Sequence, residues 1–191
     1  MEPSASFRVL VLQPLKRDAE AWQSKGFAAD LHGMRLLFRL ATHGGYRATV
    51  LHRVAHWAHC RRLTAVPTLL HELNQALHGI EMTPSMKVGS GLYMPHSVGS
   101  VITAQEIGEG VELQGGITLG MRGSAEFPIL RDGVVVSCGA RILGPVIVGE
   151  GSVIGANAVV IHDVEPGAVM IGVPAKALLV DRPGSNQDSR G

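Results

Sequence analysis

An aliphatic residue returns at every sixth position along residues 107–161, and few folds tolerate such a period. Before an interruption the series reads Ile107, Leu113 and Leu119; after it, Leu130, Val136, Ile142, Val148, Ile154 and Val160. A small or β-branched residue stands four places after most of these anchors, at Val111, Ile117, Ala140, Val146, Ser152 and Ala158. Six matches neither the 3.6-residue period of a helix nor the alternation of a lone strand. It matches a mainly β architecture, the hexapeptide parallel β-helix, in which three short strands make one triangular coil and the anchors stack inward. Val88, Met94 and Val101 carry the series upstream after a one-residue frame shift. The twelve hexads then make about four coils, expected to wind left-handed. Eleven residues replace six between Leu119 and Leu130, which predicts a loop over residues 120–129 at one corner of the prism.

Composition supports the same reading. Aromatic residues make up 4% of the 191 and glycines number 24, which suits a Val/Ile solenoid with glycine corners better than a core of large rings. A formal net charge of +1 excludes the strongly basic surface of a nucleic-acid binder. No apolar run approaches the ~20 residues of a membrane-spanning helix, and the N-terminus has no basic-then-apolar signal pattern. The two cysteines, Cys60 and Cys138, fall in different regions, so a disulfide framework is not expected and a reducing cytoplasm is.

In chain order, residues 1–27 read as an N-terminal extension. Within it, residues 7–12 suit either a short strand or an apolar segment lying against the next element, and residues 16–23 a helical turn or two. Residues 28–80 read as an α-helical cap of three short amphipathic helices. Asp30 caps the first, Gly44 and Gly45 break the chain, and Pro67 marks the start of the third. Such helices are expected to cover the open end of the β-helix, which spans residues 81–165. The cap also holds His32, His43, His52, His56, His59, His71 and His78. His52, His56 and His59 have helical spacing, compatible with a metal or with an ordinary packing face, but no Cys or carboxylate completes a ligand set. The polar residues 181–191 are expected to be disordered.

Within the repeats only His96 and His162 are histidines. His96 lies where the frame shifts, and such shifts re-aim side chains as bulges do beside active sites. A neutral imidazole there suits proton abstraction from a hydroxyl, and an ordinary surface histidine is the other reading.

The stretches Met94-Pro95-His96-Ser97-Val98-Gly99, Gln114-Gly115-Gly116-Ile117-Thr118-Leu119-Gly120, Arg131-Asp132-Gly133, Ala140-Arg141-Ile142-Leu143-Gly144 and Gly172-Val173-Pro174-Ala175-Lys176 are spread through residues 80–179. In them the chain resembles the serine acetyltransferase branch of the hexapeptide-repeat acyltransferases, close to the capsule and exopolysaccharide O-acetyltransferases. The resemblance implies a homotrimer of left-handed β-helices that takes acetyl-CoA as co-substrate, without a metal, in the groove between neighbouring prisms. His96 matches the general base of that family, and Glu81 the acidic residue paired with it, a role it shares with that of a plain polar residue at the helix-to-coil junction. Cys138 and Ala156 match the small corners along the CoA arm. The corner from Thr118 to Arg122 matches the source of an oxyanion-stabilising N–H, and its Gly120, Met121 and Arg122 match acetyl-CoA-binding positions. Lys176, in the CoA-side segment 166–180, and Arg141 could meet CoA phosphates.

Departures from that family concern the acceptor. Pro95 stands where the family has an aspartate, and Glu126 and Phe127 stand where it has an Arg-His pair that grips the serine carboxylate. No Asp-Arg-Asp-Pro-Ala motif follows Asp30, and the terminal isoleucine that docks onto cysteine synthase is absent. Charge complementarity then favours a saccharide or other small alcohol over free serine as the acceptor. Serine remains the alternative, with a zinc hydratase and a catalytically silent scaffold further off.

Overall fold

In a computed structural model, which describes residues 6–26 and 33–178, the nine regular anchors of the ladder are 0–1% exposed. They lie on three parallel sheets. The first face stacks β1 (Ile80–Met82), β3 (Ser100–Ile102), β6 (Thr118–Gly120), β9 (Arg141–Leu143) and β12 (Val159–Val160). The second stacks β2 (Lys87–Val88), β4 (Glu106–Ile107), β7 (Ile129–Leu130) and β10 (Ile147–Val148). The third stacks β5 (Glu112–Leu113), β8 (Val135–Val136), β11 (Val153–Ile154) and β13 (Val169–Ile171), closed by a short antiparallel β14 (Lys176–Ala177). Successive strands move from face to face, which makes a triangular parallel β-helix.

Register explains the six-residue period. Met82, Ile102, Leu119, Ile142 and Val160 pair in turn down the first face, and Val88, Ile107, Leu130 and Val148 down the second. Residues of one kind therefore meet their own kind one coil away, each buried Leu or Ile contributing about 1.5–3 kcal/mol. The positions four after the anchors, Val111 to Ala158, are buried at the corners. The stack is about five turns deep. Met82 and Met170, pairing with Ile102 and Ile154, add inward positions at its two ends. One anchor differs from the sequence reading: Ile102 points inward and Val101 faces outward. The wide corner before β3 holds two residues more than a hexad would, and the next corner holds one fewer.

Among the described residues, four α-helices and a π-helical turn close the top. The turn, Arg8–Leu12, runs into α1 (Gln13–Ser24), so residues 7–12 form no strand. Phe7 packs edge-on against Trp57 at 5.2 Å and Val11 is buried. Packing on the cap thus overrides the β-prone composition of the segment. Then come α2 (Gly33–Ala41), α3 (Gly44–Cys60) and α4 (Ala65–His78). The break between α2 and α3 falls at Thr42 and His43, and Gly44 and Gly45 open α3. A Cβ on Gly45 would stand 1.8 Å from the Met94 carbonyl oxygen, so glycine is what lets this helix approach the first coil. Asp30, with the rest of residues 27–32, and the tail expected to be disordered lie outside the described residues.

The first coil has no coil above it, and its backbone groups need other partners. Arg53 donates from Nη1 to the Val88 carbonyl at 3.1 Å and from Nη2 to that of Gly89 at 2.9 Å. Asp18 accepts from the Gly91 and Leu92 N–H groups, both at 2.9 Å. The two side chains also form a buried fork, Nε to Oδ2 at 2.6 Å and Nη2 to Oδ1 at 2.8 Å. Burial pushes the Asp18 carboxyl up, and Arg53 and the two N–H groups pull it back. His56 Nδ1 meets the Pro84 carbonyl at 2.9 Å and His71 Nδ1 that of Met82 at 3.0 Å.

Candidate active site

The candidate residues are best located by the edges of the prism. On the third face Tyr93, Glu112, Val135, Val153 and Val169 are in register. Three residues beyond each, at the edge leading to the first face, stand His96, Gly115, Cys138, Ala156 and Gly172. Hydrogen bonds along the edge hold this column, from Gly139 N–H to the Gly115 carbonyl and from Asn157 N–H to that of Cys138, both 3.0 Å. Four coil steps separate His96 from Gly172, roughly 19 Å. Lys176, paired with Ile171, lies exposed near the far end.

His96 is exposed, and Gly115 sits directly beneath it. A Cβ on Gly115 would come 2.9 Å from His96 Cβ. Only a hydrogen at that position leaves the imidazole its place. The corner is further held by Ser97, whose hydroxyl donates to the His78 carbonyl at 3.2 Å. His78 in turn meets Asn74 Oδ1 at 2.8 Å, and Asn74 donates to the Ala48 carbonyl at 3.1 Å. Helix α4 thereby sets the corner that carries His96.

Glu81 lies on β1, heading the outward column Glu81, Val101, Thr118, Arg141 and Val159 on the first face. It is near the His96 edge, yet among the described residues no hydrogen bond or ion pair joins the two. Arg141, three residues past Cys138, donates from Nη1 to Thr118 Oγ1 at 2.7 Å. The Cys138 thiol donates to Gln114 Oε1 at 3.3 Å, and Gln114 Nε2 to Glu112 Oε1 at 3.1 Å. Lys25 from the end of α1 closes this chain on Glu112 Oε2 at 2.5 Å.

Gly120, Met121 and Arg122 are on a different edge, between the first and second faces, where Arg122 lies over Gly144 of the next coil. The loop that follows brings Glu126 and Phe127 to a pocket of about 590 Å³ at that same edge. Within one chain, then, the structure gathers His96, Cys138, Ala156 and Lys176 on one edge and Gly120, Met121, Arg122, Glu126 and Phe127 on another. Pro95 stays with His96.

The sequence does not single out Gly115 or Gln114 individually, although the motif containing both is distinctive. The Arg131-Asp132-Gly133 motif proves to be a third corner, where Asp132 Oδ1 accepts the Glu109 N–H at 2.8 Å. The cap histidines are mostly structural. His52 is buried, its pKa lowered to about 3 by burial first and then by His56 and Arg53. The Met86 backbone is near, but no hydrogen bond of good geometry reaches either of its ring nitrogens. Among the described residues no three His, Cys, Asp or Glu side chains gather as a metal set. No described helix is long and apolar enough to cross a membrane.

Comparison with known proteins bears on what this geometry does. The bacterial transferase hexapeptide family (six repeats) matches residues 127–162. Serine acetyltransferase of Helicobacter pylori (strain J99) is 39% identical over 147 residues, covering 75% of this chain and 86% of that protein. Serine acetyltransferase of Synechococcus elongatus is 37% identical over 143 residues, 73% of this chain but 59% of its own length. Among solved structures, Neisseria gonorrhoeae serine acetyltransferase in complex with serine superposes with a TM-score of 0.80 at 26% identity, covering 88% of this chain and 69% of that one. A serine acetyltransferase in complex with CoA superposes with a TM-score of 0.78 at 28% identity, covering 87% and 69%. These relatives overturn the saccharide acceptor expected from Glu126 and Phe127. Two loop positions are a small part of an acceptor site, and charge lost there can be supplied by another strand.

Proposed function

The chain belongs to the serine acetyltransferase family of hexapeptide-repeat transferases, and we propose that it transfers the acetyl group of acetyl-CoA to the hydroxyl of serine. The observation that carries the reading is the edge column. A histidine stands above a glycine, small residues follow at Cys138 and Ala156, and a lysine closes the far end. That edge suits a long, narrow donor whose thioester end lies at His96.

His96 takes the hydroxyl proton as the serine oxygen attacks the thioester carbonyl, then returns it to the departing thiolate. Glu81 orients the imidazole once the site is assembled and stabilises its charged form. Backbone N–H groups at the corner of Gly120, Met121 and Arg122 stabilise the oxyanion. That corner lies one face away from His96 in a single chain, so a complete site needs the edge of a neighbouring copy, as a homotrimer would provide.

Thiol release from acetyl-CoA, measured with serine, homoserine and a set of mono- and oligosaccharides, tests the reading. Serine is expected to be turned over, and His96→Ala to lower the rate about 100-fold or more. Absence of serine-dependent thiol release, or a His96→Ala variant as active as the unaltered protein, would refute it.

A further inference from the structure

Lys87 is the residue that the motifs passed over. It lies on β2, on the outward column of the second face with Glu106, Ile129 and Ile147. The pocket at the first–second edge is walled by Gln105, Phe127, Pro145 and Ile147, and it holds one cationic side chain, Lys87, and one anionic, Glu126. Both are exposed. Among the described residues neither makes a hydrogen bond or an ion pair, and they do not pair with each other. Two opposite charges that face one pocket without neutralising each other match a ligand carrying both signs.

We propose that Lys87 and Glu126 hold the two ends of a zwitterionic amino-acid acceptor, Lys87 its carboxylate and Glu126 its ammonium, with Phe127 as the apolar wall between them. This assignment rests on the serine reading above. It explains why a loop without its Arg-His pair need not exclude an amino acid: the cation comes from a strand of the first coil, and the glutamate answers the other end of the same ligand. A neutral acceptor would have no use for either charge. The acceptor hydroxyl, held at this edge, meets His96 from the facing edge of a neighbouring copy.

The test compares serine with glycerate, which lacks the ammonium, and with ethanolamine, which lacks the carboxylate, using thiol release by the full-length chain. Lys87→Gln is expected to raise the KM for serine about 10- to 100-fold and to narrow the preference for serine over ethanolamine. Glu126→Gln is expected to raise that KM similarly and to narrow the preference over glycerate. Both side chains are exposed, so folding is not at stake, and the KM for acetyl-CoA serves as the internal control. Serine kinetics and preferences unchanged in both variants would overturn the assignment and leave the serine reading standing. Failure of the unaltered protein to use serine would remove both.

Discussion

The ladder and its helical cap meet the same demand with opposite chemistry. Inside the ladder, each coil's N–H and C=O groups are met by the next coil, and the interior is apolar. At the top, where no further coil exists, Asp18, Arg53, His56 and His71 take the place of a missing strand. A repeat can tolerate small changes anywhere along its length because every rung is alike. In the cap, the Asp18–Arg53 fork and its four backbone partners depend on one another.

That contrast predicts unequal costs. Arg53→Met leaves the Asp18 carboxylate without its partner and bares two carbonyls, and should cost about 3–5 kcal/mol in urea unfolding. Ile142→Val in the middle of the ladder should cost only about 0.5–1.5 kcal/mol. Equal losses would erase the distinction between the two regions.

Acid separates them next. His52 must be neutral in the fold, with a pKa lowered to about 3 from 6.5. Its contribution is fully present above pH 6.5 and is lost as pH falls from there toward 3. At pH 4 the loss should be on the order of 3 kcal/mol. The His52→Leu variant should show a flatter stability profile between pH 6.5 and 4. An unchanged acid limb would mean that other groups set it.

The smallest expected effect on stability concerns the edge proposed to carry the chemistry. Gly115→Ala pushes on His96 Cβ while leaving the ladder's interior intact. Turnover should fall about 10- to 100-fold, with the thermal midpoint nearly unchanged. A normal rate would show that His96 does not depend on the space beneath it.

Much of the fold was legible because inward positions repeat. Stacking identical coils forces the same residue type into the same place, and Ile107 to Val160 display this directly. The exceptions have local causes: the period puts an anchor at Val101, but the corner before β3 is wider than a hexad, which no period reveals. The cap was harder to read. Its helices have ordinary amphipathic patterns, but residues 7–12 look β-prone and become helical only because Trp57 and the rest of α3 pack against them. The acceptor was misjudged for a related reason. Glu126 and Phe127 are neighbours in sequence, whereas the pocket also includes Lys87, roughly forty residues earlier and on a different strand.

By itself the sequence determined the architecture and the candidate base, since a six-residue period admits one kind of stack and His96 interrupts it. Only the tertiary structure decided which residues share an edge. It put Gly115 beneath His96, divided the remaining candidates between two edges, and brought Lys87 and Glu126 to one pocket. Register across coils makes neighbours of residues that no local pattern connects.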